Sequence, residues 1–188
     1  MSDIMQEIID HHEIRKLLSA YCAACDRCDQ PAMAAVYADE SWDDHGPRSG
    51  RGADFAKVIT DEMRHVNSLS HLLGQSTISV RGDEAGAETY FLAVMRVDAE
   101  SGGEMINQLG GRFIDTLVRE ADGWKISRRV AVRDWSITLP MTQDYIGTQG
   151  LKPGGYADDL RYGELGIAHS GVPDFTKDES RAPRWDGD

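Results

Sequence analysis

The sequence predicts an α+β fold in which a strongly curved antiparallel sheet wraps three N-terminal helices. Three observations carry this reading. Apolar residues recur at three- or four-residue spacing up to about residue 66, the period drops to two from His71 onward, and turn sequences separate four long alternating runs. Long antiparallel strands that follow a block of helices must bury one face against them, which defines the α+β arrangement.

The first helix is expected over residues 3–26. Ile4, Ile8, Ile14, Leu17, Leu18, Tyr21, Cys22 and Cys25 fall mostly at helical spacing along it. Asp29-Gln30-Pro31 punctuates it, and Pro31 suits the first turn of a short second helix through Met33, Val36 and Tyr37. Residues 41–45 read as a short strand that stops at Gly46-Pro47. Residues 52–66 form a third helix with Phe55, Val58, Ile59 and Met63 on one face. Strands follow over about 71–80, 85–97, 105–119 and 124–136. Arg81-Gly82-Asp83-Glu84, Ser101-Gly102-Gly103 and Ala121-Asp122-Gly123 supply the hairpin turns between them. Gly110-Gly111 inside a strand signals a bulge or a close backbone approach. Past Pro140 the periodicity fades. The chain therefore divides into a folded body, residues 1–140, and an extended tail, residues 141–188, packing on the body or on a neighbouring subunit.

Composition narrows the function. A chain of 188 residues fits one core, and a net charge of -12 disfavours nucleic acid and anionic membrane surfaces as partners. No apolar run is long enough to span a bilayer. The acidic, helix-like N-terminus does not read as a signal peptide, so a cytoplasmic protein with reduced thiols is expected. Cys22, Cys25 and Cys28 lie mostly within one helix with no second ligand pair, and His11 and His12 are adjacent and so diverge. Neither Gly102-Gly103 nor Gly110-Gly111 fits a phosphate loop or a dinucleotide fingerprint. No metal and no cofactor are expected.

The chemistry-bearing residues are Tyr21, Asp26 and His71. Five residues on a helix rotate by about 140°, so Tyr21 and Asp26 can flank one cavity. A histidine with a carboxylate partner is a general base whose tautomer that partner sets, and tyrosine can donate to or polarise an oxygen. Together they suit proton transfer. Trp42, Phe55, Met63 and Trp135 are candidate wall residues for a hydrophobic ligand, Phe91 reads as core, and His45 and Asp44 border the mouth. Arg133 on the last strand, if inward, calls for an anionic partner, because an unpaired cation in an apolar interior is costly.

Three helices, a short strand and a long four-stranded meander resemble the cone-shaped fold of the nuclear transport factor 2-like superfamily. Within it the chain is similar to the SnoaL-like group, which includes scytalone dehydratase, bile-acid dehydratases and hexachlorocyclohexane dehydrochlorinase. The resemblance covers about residues 5–139. It rests on Glu13-Ile14-Arg15-Lys16-Leu17-Leu18-Ser19-Ala20-Tyr21, on Asp26, on Asp43-Asp44-His45-Gly46, on Ser70-His71-Leu72-Leu73-Gly74 and on Asp122-Gly123-Trp124-Lys125-Ile126. It implies a catalytic dyad of Asp26 and His71, with Tyr21 as acid or hydrogen-bond donor and Arg133 as anchor for the substrate or aid to catalysis. One departure is visible. The bile-acid enzymes carry a further acidic residue on the second long strand, where this chain has Leu92-Ala93-Val94-Met95.

The expected activity is that of a cofactor-independent lyase acting on an apolar ring-containing molecule, aromatic, alicyclic or steroid-like. It would lose water, another small leaving group or formaldehyde. Isomerisation or cyclisation starts from the same proton abstraction. A ligand-binding protein or a structural subunit of a dioxygenase is the non-catalytic alternative. Apolar residues on both alternations of the strands also imply a covered outer face, hence a homo-oligomer, a trimer by resemblance and a dimer next.

Overall fold

The computed structural model describes residues 3–141. The elements are α1 (Asp3–Arg27), α2 (Gln30–Ala34), β1 (Tyr37–His45), β2 (Arg48–Gly50), α3 (Gly52–Met63), β3 (Ser68–Arg81), β4 (Glu84–Asp98), β5 (Glu104–Glu120) and β6 (Gly123–Met141). They form a six-stranded sheet in the order β2-β1-β6-β5-β4-β3. The four long strands make the expected antiparallel meander. The sheet as a whole is mixed, because β1 runs parallel to β6 and the unanticipated β2 folds back antiparallel on β1. The C-terminal tail expected beyond Met141 lies outside the described residues.

Local chemistry explains how α1 ends. Cys28 takes a left-handed conformation (φ 53°), its N–H donates to Cys25 O, and the Asp29 N–H donates back to Ala24 O. This crossed pair is the Schellman arrangement, which satisfies carbonyls the helix leaves open. Asp29 then caps α2 by accepting from the Ala32 N–H. Arg64 donates to Cys28 O and Arg27 to Ala23 O, so two cations meet the negative end of the α1 dipole.

The core sits between the helices and the concave face of the sheet. Ile14, Leu18, Tyr21, Cys22 and Cys25 of α1 and Phe55 and Ala56 of α3 pack with Phe113, Leu117, Trp124 and Ile126. At the far end of α1, buried Asp10 accepts from Arg119 and from the Trp124 indole at the β5–β6 hairpin. Ile4 and Ile8 precede that contact and are exposed, contrary to the apolar face drawn through them from spacing. Val58 is also exposed, and the buried stripe of α3 runs Gly52, Phe55, Ala56, Thr60. Tyr37 opens β1 rather than extending α2.

Bulges give the sheet its bends and redirect its faces. Between β3 and β4 the register shifts from Leu73↔Phe91 to Ser76↔Thr89. That shift places Ile78 on the same core side as Leu73, while Leu72 stays outside. Between β5 and β6, Gly111 pairs with Arg133 but Gly110 pairs with Trp135, so Asp134 is the extra residue. Both glycines are required by space. A Cβ on Gly111 would lie 2.0 Å from Val132 O and 3.1 Å from Phe91, and one on Gly110 would lie 2.3 Å from the Trp135 ring. Gly111→Ala should therefore destabilise the fold by roughly 1–3 kcal/mol or more, since overpacking against backbone cannot relax cheaply. Urea unfolding of the two proteins side by side measures the difference, and an unchanged midpoint would contradict the close approach.

Candidate active site

The open end of the curved sheet holds a cavity of about 270 Å³. Every element except α2 contributes to it. Tyr21 and Cys25 come from α1, His45 from β1, Arg48 from β2, Ile59 and Met63 from α3, and Leu69 and His71 from β3. Phe91, Ala93 and Met95 of β4, Leu109 and Phe113 of β5, and Ala131 and Arg133 of β6 complete the wall. The lining is mostly apolar with five convergent polar groups, the ordinary make-up of a small-molecule site. The volume falls just below the usual range of such sites and gives room for one or two rings.

Asp26 meets His71 at the wall of this cavity, though only His71 lines it. His71 Nδ1 lies 2.5 Å from Asp26 Oδ1, and the His71 backbone N–H donates to Asp26 Oδ2 at 3.0 Å. One carboxylate thus holds both the ring and the strand that carries it. An ionised carboxylate only accepts, so Nδ1 carries the hydrogen and Nε2 is the nitrogen left for a ligand. Asp26 stands in the last turn of a helix, where the dipole disfavours an anion. Its two hydrogen bonds from β3 offset that placement.

Tyr21 is buried, with its ring edge-on to Tyr37 and to Phe113. Burial pushes its phenol well above the usual range, and nearby Asp43 adds to the rise, while Arg129 opposes it. Tyr21 is therefore a protonated hydrogen-bond donor at neutral pH.

Arg129 itself is wholly buried and grips Asp115 through two bonds, Nε to Oδ1 at 2.7 Å and Nη2 to Oδ2 at 2.8 Å. Its guanidinium lies 4.0 Å from the Tyr21 ring centre and 4.1 Å from that of Phe113. Arg129 Nη1 has no hydrogen-bond partner among the described residues. Alternation along the last strand puts Arg129 on the same face as Arg133, without saying which way that face points, and gives no hint of Asp115 as its partner. Asp115 sits on the neighbouring strand and pairs in register with Arg129.

The remaining expected residues divide. His45 and Met63 line the cavity, and Arg133 reaches it from an exposed position. Arg133 has no carboxylate partner among the described residues. Asp134, next in the chain, instead binds Arg112. Phe55 is core rather than wall, and it stacks on the His45 ring at 4.6 Å. Trp42 and Trp135 do not line the cavity, and each is 49% exposed. For Trp42 the reason is strand alternation, which gives the buried place to Asp43. For Trp135 it is the Asp134 bulge, which turns the side chain onto Gly110 on the outer face. Asp44 hydrogen-bonds within the β1–β2 turn, to the Gly46 N–H and the Ser49 hydroxyl. Sequence reading missed Arg48, which lines the cavity while bonded to Glu62, and Asp43, which is bonded to both Tyr37 and His45. No local signal marks Arg48, but Asp43-x-His45 was readable as an alternating pair.

The three cysteines are buried and unbridged, and no group of three or more metal-ligating side chains occurs among the described residues. Nor is any helix among the described residues long and apolar enough to cross a membrane.

Fold and site together define an α+β protein with a curved sheet packed by helices and an apolar cavity lined by a histidine that a carboxylate holds from behind. The SnoaL-like domain model matches residues 6–130, and the chain belongs to that family. The uncharacterized protein Rv2910c of Mycobacterium tuberculosis is 25% identical over 130 residues, covering 68% of this chain and 87% of that one. Among solved structures, LinA superposes with a TM-score of 0.65 at 18% identity, covering 79% of this chain and 99% of its own. A candidate scytalone dehydratase of Novosphingobium aromaticivorans gives 0.64 at 21%, covering 80% and 100%. Kfla4162 of Kribbella flavida gives 0.64 at 17%, covering 70% and 95%. These likenesses establish the nuclear transport factor 2-like fold.

Two measurements check the site's physical setting. Arg129→Ala leaves Asp115 as a buried, unpaired carboxylate and should cost about 3–5 kcal/mol in chemical denaturation, whereas replacing both partners with apolar residues of similar volume should cost far less. Burial holds the Cys22 thiol up at about 12 and the Cys28 thiol at about 11, against 9.0 for a free thiol. The unfolded chain therefore loses these protons first, so folding stability should fall as pH rises from about 9 to 12. Below pH 9 a maleimide reagent should label these thiols only after unfolding.

Proposed function

We propose that this protein is a cofactor-independent lyase that eliminates a small group from an apolar molecule of one or two rings. The observation that carries the reading is the grip of Asp26 on His71. It fixes the tautomer, leaves Nε2 for the ligand, and stabilises the imidazolium that forms when a proton is taken. His71 removes a proton from the carbon next to a carbonyl. Tyr21 donates a hydrogen bond to the oxygen where charge develops, and Arg133 meets that charge or an acidic substituent. Leu69, Phe91, Met95, Leu109 and Phe113 hold the ring. Solved relatives named as a scytalone dehydratase and as hexachlorocyclohexane dehydrochlorinases support elimination as the reaction type. Loss of water is the form we favour. Release of formaldehyde by carbon–carbon cleavage, isomerisation and cyclisation share its first step. A purely structural role gives no reason for so many polar groups to converge on one cavity.

A two-ring β-hydroxy ketone, 3-hydroxy-1-tetralone, tests the proposal, because loss of water from it yields fluorescent 1-naphthol. Native protein should accelerate that conversion without added metal and after dialysis against a chelator. His71→Ala should lower the rate by about a hundredfold or more with thermal unfolding unchanged. A near-native rate in the variant would sink the mechanism.

We further propose that the protein is a homo-oligomer, a trimer or failing that a dimer, joined through the outer face of the sheet. Leu72, Tyr90, Ile114, Trp135, Ile137 and Leu139 are each 40–56% exposed there. Paired register links Leu72 to Leu92, Leu92 to Gly110 and Gly110 to Trp135, so much of this surface is continuous across strands. Light scattering at micromolar concentration should give a multiple of the chain mass of 20.8 kDa, and a clean monomer would contradict the interface.

A further inference from the structure

The cavity holds a second imidazole built like the first. His45, the last residue of β1, contacts Asp43 Oδ1 through its Nδ1. Asp43 is wholly buried, and it also accepts from the Tyr37 hydroxyl at 2.5 Å. Phe55 covers one face of the His45 ring at 4.6 Å, with the two planes 20° apart. A carboxylate at one edge and an aromatic ring on one face fix the orientation, and Nε2 is left for a ligand, as in His71. The two imidazoles stand on different walls. His71 is on β3, at one edge of the sheet, and His45 is on β1, with β6, β5 and β4 between them. Phe91, Phe113 and Ala131 line the cavity along those intervening strands.

This arrangement meets a need that one base cannot. Hydroxide is a poor leaving group, so loss of water from carbon requires a proton delivered to the departing oxygen. Tyr21 is already engaged, in the reading above, with the oxygen where charge develops, so the departing hydroxyl needs a second donor. Resting on the elimination reading above, we infer that His45, as the imidazolium, is the general acid that protonates the leaving hydroxyl while His71 removes the proton from carbon. The step balances without a co-reactant. The C–H electron pair becomes the new C=C bond, the C–O pair leaves with oxygen, and the His45 Nε2 proton completes a water molecule. His71 ends with one proton more and His45 with one fewer, and exchange with solvent restores both. Asp43 is a positioning residue, since it holds the His45 ring and does not line the cavity.

A pair of probes separates the two roles. 3-Hydroxy-1-tetralone and 3-acetoxy-1-tetralone both lose the C2 proton and both end as 1-naphthol, but acetate departs without a proton. His45→Gln should lower kcat on the hydroxy probe about a hundredfold or more and leave kcat on the acetoxy probe within a few-fold of native. Continued loss of acetate also shows that the variant is folded. Asp43→Asn should show the same selectivity in weaker form, which a merely structural effect would not. Equal loss on both probes, or loss on neither, in His45→Gln would overturn the assignment of His45. His71→Ala should lose both reactions. Retention of both in that variant, or no turnover of either probe by native protein, would overturn the elimination reading itself.

Discussion

A wholly buried guanidinium organises the centre of this molecule. Arg129 sits on β6 two residues before the cavity-lining Ala131, and a charge buried there is tolerable only if its surroundings answer it. Asp115 does so with a two-pronged bond from the adjacent strand, and the faces of Tyr21 and Phe113 do so with their ring electrons. Asp43 lies opposite Arg129 in the parallel β1–β6 register. Helix α1, the parallel strand β1 and the centre of the meander are thereby referred to one cation. Tyr21 and Phe113, which form part of the cavity wall, take their positions from it.

The upper part of the site depends on how α1 stops. The left-handed turn at Cys28 ends the helix sharply, just after Asp26. A longer helix would carry that carboxylate's neighbours into β3. A frayed one would let the carboxylate turn away. With Arg27 and Arg64 meeting the open carbonyls, the helix end is electrostatically settled and Asp26 is free to serve His71. The dyad is thus the product of a capping solution as much as of the two residues themselves.

Much of this was legible in the sequence. The change of period after the third helix, the turn residues between strands and the rotation from Tyr21 to Asp26 are local signals, and local signals survive folding. What escaped was set by neighbours distant in sequence. Nothing in residues 41–45 says that this strand pairs parallel to β6, or that Asp43 rather than Trp42 faces inward. Strict alternation carried Trp135 onto the cavity side with Arg133, and one bulged residue undid that step. The same happened at Leu73–Ser76, where a register shift brought Ile78 to the core. Ile4 and Ile8 fit a helical stripe perfectly well, but spacing along a helix does not say where the sheet beneath it ends. The Arg129–Asp115 pair needed register, which only the paired strands reveal.

The bulge at Asp134 makes β6 a strand with two allegiances. On its N-terminal side Ala131 and Arg133 face the cavity; on its C-terminal side Trp135, Ile137 and Leu139 face outward. A single surplus residue accomplishes the exchange, and Gly110 and Gly111 leave room for it. In evolutionary terms this stretch has an unusual grammar. Point substitutions among the exposed positions alter one side chain at a time, but a one-residue insertion or deletion between Arg133 and Trp135 would transpose every later side chain of the strand from one face to the other. Length, more than identity, is what descent must hold constant there.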